Sequence, residues 1–203
     1  MSVQGWAVFA LFWVLFVTTP GPNAVNCIAN GMAHGLPRAL LGVLGILTQA
    51  TLFLSLSAAG ITALIATAPA LFASAKLLGA AVLIWLGLRG WRNAAIAVAP
   101  RSATGASIYG RAFLIASVNA KSVAGYLAAF SQFVEPGVPI SRQMWAIFPT
   151  ALTITALSYS TYTALGAWLG RLALGAVMNT RLRQALALCF LLYGVLLGLS
   201  ALA

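Results

Sequence analysis

Apolar runs long enough to cross a lipid bilayer fill this chain almost end to end, and that pattern constrains the fold more than any single residue does. One crossing needs about 20 predominantly apolar residues. The first run extends from Trp6 to Val17, meets Thr18-Thr19-Pro20-Gly21-Pro22-Asn23, and resumes from Ala24 to Ala29. The second runs from Ala39 to Ile65 and the third from Ala68 to Leu88. After a basic stretch from Arg89 to Arg111 comes the fourth, Ala112 to Val134, interrupted at Asn119-Ala120-Lys121. The fifth covers Met144 to Leu169 and the last Gln184 to Leu202. Only 6% of the residues are charged, where a soluble domain carries about a quarter; lipid can cover a surface that water cannot. The 203 residues hold six crossings and little else. The expectation is an all-α integral membrane protein of about six transmembrane helices, one domain over residues 1–203.

The formal net charge is +10, and Glu135 is the only acidic residue. Nucleic acid is excluded as a partner, because the basic residues sit in short gaps between apolar runs and form no stripe or aromatic-interleaved patch. Topology accounts for them better. Alternate gaps put Arg38, Arg89, Arg92, Arg101, Arg111, Arg171, Arg181 and Arg183 on one side and only Arg142 on the other. The basic side is expected to be cytoplasmic, with both termini on the opposite face. Trp6, Trp91 and Trp145 fall near run ends as interfacial anchors do. The first run follows a start without basic residues and carries no small-residue cleavage site, so it reads as retained. Two units of three helices, residues 1–100 and 101–203, would have opposite orientations, as in transporters built from inverted repeats. The interrupted helices, first and fourth, stand in matching places.

Pro20-Gly21-Pro22 inside a spanning run is the most informative local feature. Each proline lacks an N–H and clashes with the preceding turn, so the helix must open. In hydrocarbon, freed backbone groups survive only where protein buries them or water reaches them. Asn23 adjoins the opening with donors and an acceptor, and the helix that restarts there offers amides to anions. A simple kink is the bland alternative. Lys121 lies about a third of the way into the fourth run, beside Asn119 and Ser122. An ionisable residue in a span faces a cavity or a partner, unless it snorkels to the surface. No acidic residue exists in the membrane to neutralise it, so a ligand carboxylate would supply the missing charge. Gln49 and Lys76 are secondary candidates, Lys76 being within snorkelling reach of the outer interface. His34 falls in a short loop from Gly31 to Arg38. Gly42 and Gly45 can serve a homodimer or pack within one chain.

The absences narrow the function. The chain has no aspartate, one histidine and two distant cysteines, Cys27 and Cys189. It therefore offers no metal-ligand set and no Ser/His/Asp arrangement. No glycine-rich phosphate loop appears. No cofactor is called for, and an enzyme is a poor fit. A transporter for a small solute fits best; a passive channel or facilitator and a non-transporting scaffold subunit remain as alternatives.

Thr19-Pro20-Gly21-Pro22-Asn23, followed by Gly31, His34-Gly35 and Gly42, resembles the N-terminal signature of the lysine exporter / homoserine–threonine exporter family (LysE-type translocators). Lys76-Leu77-Leu78-Gly79-Ala80-Ala81 running into Leu83-Ile84-Trp85-Leu86-Gly87 is similar to the family's third-helix motif. Asn119-Ala120-Lys121, then Phe130 and Gln132-Phe133-Val134, resembles its Asn-Pro-Lys and Gln-Phe-Val elements. The resemblance covers essentially the whole chain. It implies a bacterial inner-membrane exporter of amino acids or related metabolites, exchanging them for protons. Ala120 stands where the family has proline, which predicts a milder break in the fourth helix, and Thr48-Gln49 fall where many members carry aspartate. With no intramembrane carboxylate to meet a second ammonium, the expected substrate is neutral or anionic. Pro20, Gly21, Pro22, Asn23, Asn119 and Lys121 are the expected binding residues.

Overall fold

The computed structural model describes residues 1–67, 69–96, 108–117, 119–135, 137–170, 172, 175, 176 and 179–202. Arg101, Arg171 and residues 97–107 of the basic stretch after Arg89 therefore lie outside the described residues, as does the side chain of Lys76. Among the described residues every regular element is an α-helix: α1 (Val3–Thr18), α2 (Pro22–Thr67), α3 (Pro69–Arg92), α4 (Ile108–Ser117), α5 (Ala120–Phe133), α6 (Ile140–Leu169) and α7 (Thr180–Leu202). The stretch Pro22–Gly60 is long and apolar enough to cross a membrane, and Val3–Thr18, Ile108–Ser117 and Arg183–Leu196 are shorter apolar helices.

Prolines and caps set most helix boundaries. Ser2 caps α1, its hydroxyl accepting from the Gly5 amide at 3.0 Å. At the other end Pro20 drives its predecessor out of helical space, and Thr19 is extended (φ −64°, ψ 120°). Pro22 then opens α2 at the first helical position, where a missing N–H costs nothing. The two prolines thus do opposite jobs, one ending a helix and one starting the next. Pro69 likewise opens α3. In α5 the cap is Asn119, whose side chain accepts from the Lys121 amide at 3.1 Å.

The loop expected over Gly31–Arg38 is absent. Helix continues on both sides of Gly35, where the backbone alone reverses the chain (φ 68°, ψ 166°). Only glycine occupies that region readily. The reversal is visible in contacts: a Cβ on Gly42 would lie 3.1 Å from Nδ2 of Asn30, although a straight helix would separate residues twelve apart by about 18 Å. The two arms of α2 therefore run antiparallel, and His34 sits at the turn. The fourth helix is also interrupted without a proline, α4 ending at Ser117 and α5 starting at Ala120. Asn119 supplies the cap that makes the restart.

α2 packs chiefly on α6 and α4, α3 on α7 and α5, and α1 on α6. In membranes such contacts depend on close backbone approach through small residues. A Cβ on Gly166 would collide with the Ile28 carbonyl, and one on Gly31 with the Thr163 carbonyl, so α2 and α6 touch backbone to backbone. Gly42 and Gly45 are buried against Ile108, Ala112 and Tyr109 of α4. That pair packs within the chain, one of the two roles open to it by sequence. Large apolar side chains point outward along several helices, among them Leu44, Leu56, Leu114, Leu157, Trp168 and Leu196. Trp6, Trp91 and Trp145 are exposed as interfacial anchors would be.

Candidate functional site

The two helix interruptions meet. Nζ of Lys121, in the first turn of α5, donates to the Thr19 carbonyl at 2.6 Å. It also stands 5.3 Å from the Phe16 ring centroid, a cation–π distance. The neighbouring carbonyl, Thr18 O, accepts from the Tyr162 hydroxyl of α6 at 2.6 Å. The threonines bond back into their own helix, Thr18 Oγ1 to Val14 O and Thr19 Oγ1 to Leu15 O, each at 2.6 Å. The carbonyl end of α1 is thus capped by side chains from α5 and α6 rather than by lipid. Lys121 turns into the interruption instead of snorkelling to the surface. Gly125, one turn on, lets α5 approach: a Cβ there would collide with the Phe16 ring.

These residues floor a cavity of about 470 Å³, within the range of small-molecule sites. Thr19, Pro20, Gly21, Pro22, Asn119 and Lys121 form the floor; Trp85, Arg89 and Asn93 from α3 and the turn after it, with Arg183, Ala187 and Phe190 from α7, form the walls. Opposite charges meet in the floor. The negative end of α1 faces Lys121, while α2 and α5 both begin here and present first-turn amides that have no partner within the helix. Thr19 O, which accepts from Lys121, and the two helix starts thus give the cavity lining polar groups of both signs.

Beyond the floor the chain is packed shut. Phe9, Phe12, Trp13 and Phe16 of α1 interlock with Tyr126 and Phe133 of α5, ring centroids 5.3–6.3 Å apart, and all are buried. Trp13 Nε1 donates to Ala151 O and Thr155 Oγ1, both at 3.0 Å, tying this cluster to α6. At the far end Gln143 donates to the carbonyls of Glu135 and Val138 and accepts from the Glu135 amide, each at 2.9 Å. Glu135 itself pairs with the N-terminal amine of Met1 at 3.8 Å.

Of the expected residues, Pro20, Gly21, Pro22, Asn119 and Lys121 come together around the cavity. Asn23 does not line it. That side chain is buried beside Tyr159 of α6. Gln49 is buried away from the cavity too. Asn23 belongs instead to a stripe with Asn26 and Asn30, spaced as one helix face, and a buried amide atom on each, as on Gln49, has no hydrogen-bond partner among the described residues. Sequence reasoning did not single out Asn26 and Asn30, although the steps from Asn23 to Asn26 and from Asn26 to Asn30 are those of one helix face. It also counted Arg89 and Arg183 only as topology charges and passed over Asn93.

The family model for LysE type translocators matches residues 14–201. A membrane protein of Vibrio cholerae, itself described as uncharacterized, is 32% identical over 201 residues, covering 98% of each chain. The homoserine/homoserine lactone efflux protein of Salmonella typhimurium is 26% identical over the same length, with 98% of each covered. A leucine efflux protein of Klebsiella pneumoniae is 32% identical over 167 residues, 78% of this chain and 76% of that one. No solved structure matches. The chain belongs to the LysE type translocator family, a family of membrane transport proteins.

Proposed function

We propose that this protein is a secondary carrier that exports amino acids, neutral or anionic, across the bacterial inner membrane, and that the cavity between the two helix interruptions is its binding site. The observation that carries the reading is the charge pattern of the floor: Lys121 with no carboxylate partner and two helix starts, beside the carbonyl end of α1. The relatives named for efflux of homoserine, homoserine lactone and leucine support an amino-acid cargo. None of those cargoes brings a second ammonium, in keeping with a cavity bordered by cations and by no carboxylate.

The access of the cavity supports export. Its walls rise towards Arg89 and Arg183, the basic and hence cytoplasmic side, while the aromatic cluster closes the opposite path. This is a carrier open to the side from which cargo is loaded. Six crossings follow if α1 with the first arm of α2 counts as one, the second arm of α2 and α3 as two more, and α4 with α5, α6 and α7 as the last three. The packing of α2 on α4 and of α6 on α1 supports reading the two halves as an inverted repeat. Both termini then lie outside. If protons are exchanged, Lys121 is the ionisable group that the floor provides.

Counterflow in proteoliposomes tests this reading with a panel of labelled amino acids. Saturable counterflow of a neutral or acidic amino acid is expected. Lysine or arginine as the best substrate would overturn the charge argument. Non-saturating flux would indicate a channel, and no flux of any amino acid would leave a scaffold.

A further inference from the structure

Three cationic side chains border the cavity: Lys121 in its floor and Arg89 and Arg183 in its walls. The whole sequence holds eleven lysines and arginines and one acidic residue. That residue, Glu135, sits beside the N-terminus, about 20 Å from the interruption along α5. No side chain of this protein can neutralise the cavity, so its counter-charge must come from a ligand.

Both arginines are oriented by neighbouring groups. Arg183 donates through one terminal nitrogen to Ala94 O at 2.8 Å and to Ile96 O at 2.7 Å. Its guanidinium has five N–H donors, so this anchorage leaves the other edge of the fork available. Arg89 lies over the Trp85 ring, its Cζ 5.0 Å from the centroid; stacking of this kind orients the planar group. Asn93, also on the wall, adds an amide. The rule that places basic residues on the cytoplasmic face explains why arginines occur at this end. It does not explain why two of them, each fixed by the α3 region, line the same cavity as Lys121.

We propose that Arg89, Arg183 and Asn93 form a second anion station at the cavity mouth, which receives a further negative group on the cargo. The preferred solutes are then acidic ones: amino acids whose side chain bears a carboxylate or a comparable anion. This rests on the transport reading and narrows its substrate class. Planar guanidinium groups suit carboxylate or phosphate oxygens equally, so an anionic lipid headgroup has the same chemistry and must be separated by experiment.

The test is counterflow of labelled glutamate and glutamine, nearly isosteric and one charge apart, in vesicles of phosphatidylcholine alone and with an added anionic phospholipid. The native protein is expected to prefer glutamate in both. The glutamate-to-glutamine ratio should fall about tenfold in Arg89→Gln, the loss of one charge-assisted contact, and recover in Arg89→Lys. Asn93→Asp, which sets a negative charge on the wall, should turn the preference towards glutamine. Glutamine counterflow without any glutamate preference, or a ratio unmoved by Arg89→Gln and Asn93→Asp, would overturn the second station and leave the carrier standing. A glutamate preference abolished by anionic lipid would make the mouth a headgroup site. No counterflow of any amino acid would overturn the transport reading and this proposal together.

Discussion

Lys121 shows how one residue acquires its meaning from a backbone defect. A lysine a third of the way into an apolar run has two readings by sequence, a snorkelling anchor or a buried cation, and spacing alone does not decide. The hydrogen bond to Thr19 O decides it, because that carbonyl is exposed only where Pro20 has ended α1. Pro20, Pro22 and Lys121 were legible separately; that they meet was not, since the bonded pair is separated by 102 positions in sequence. Arg89 and Arg183 were legible only as charges on one side, because a topology arginine and a cavity arginine look alike until α3 and α7 are packed together. Gly35 is the opposite case, a residue whose role is wholly local. Its φ of 68° with ψ of 166° is a region that side chains avoid, at a cost of about 1–3 kcal/mol. Gly35→Ala is therefore expected to lower the thermal midpoint of the detergent-solubilised protein by several degrees. An unchanged midpoint would mean that the chain reverses in another way.

At the scale of elements, the apolar runs gave the helices and the prolines gave their ends, but the loops were overestimated. Polar residues from Gly31 to Arg38 read as a connection, while the structure needs one glycine to reverse direction and keeps the rest helical. The hydrophobic pattern could not reveal this, because the arms of the hairpin meet through a polar and a small residue, Asn30 on one and Gly42 on the other. The fourth helix teaches a related lesson. Ala120 in place of the family's proline suggested a milder break, yet the asparagine cap at Asn119 suffices to restart the chain. Ala120 holds the first position of α5, where an N–H has no helical partner and Asn119 is already extended (φ −74°, ψ 108°). Ala120→Pro should therefore be accepted within about 1 kcal/mol, with thermal midpoint and counterflow close to native. A collapse of either would show that the Ala120 amide is needed for a bond that the cap geometry does not provide.

For the whole molecule, the proposed function reads the cavity bordered by Arg89 and Arg183, with the aromatic cluster beyond it, as a carrier in its cargo-loading state. The orientation can be read by labelling single cysteines in a background with Cys27 and Cys189 replaced. In intact cells, Gly137→Cys in the turn after α5 should react with an impermeant maleimide, and Arg92→Cys at the end of α3 should react only after permeabilisation. The reverse pattern would invert the topology and with it the direction assigned to the cavity. The claim on which all of this depends is that cargo binds where the two interruptions meet. Its most direct test is counterflow of the best amino acid by the native protein and by Lys121→Ala. The account predicts a fall of about tenfold or more for the variant, the loss of a charge-assisted contact to the cargo carboxylate. Counterflow at the native rate and affinity by a stably folded Lys121→Ala would contradict it, returning the lysine to the role of a strut that closes the end of α1.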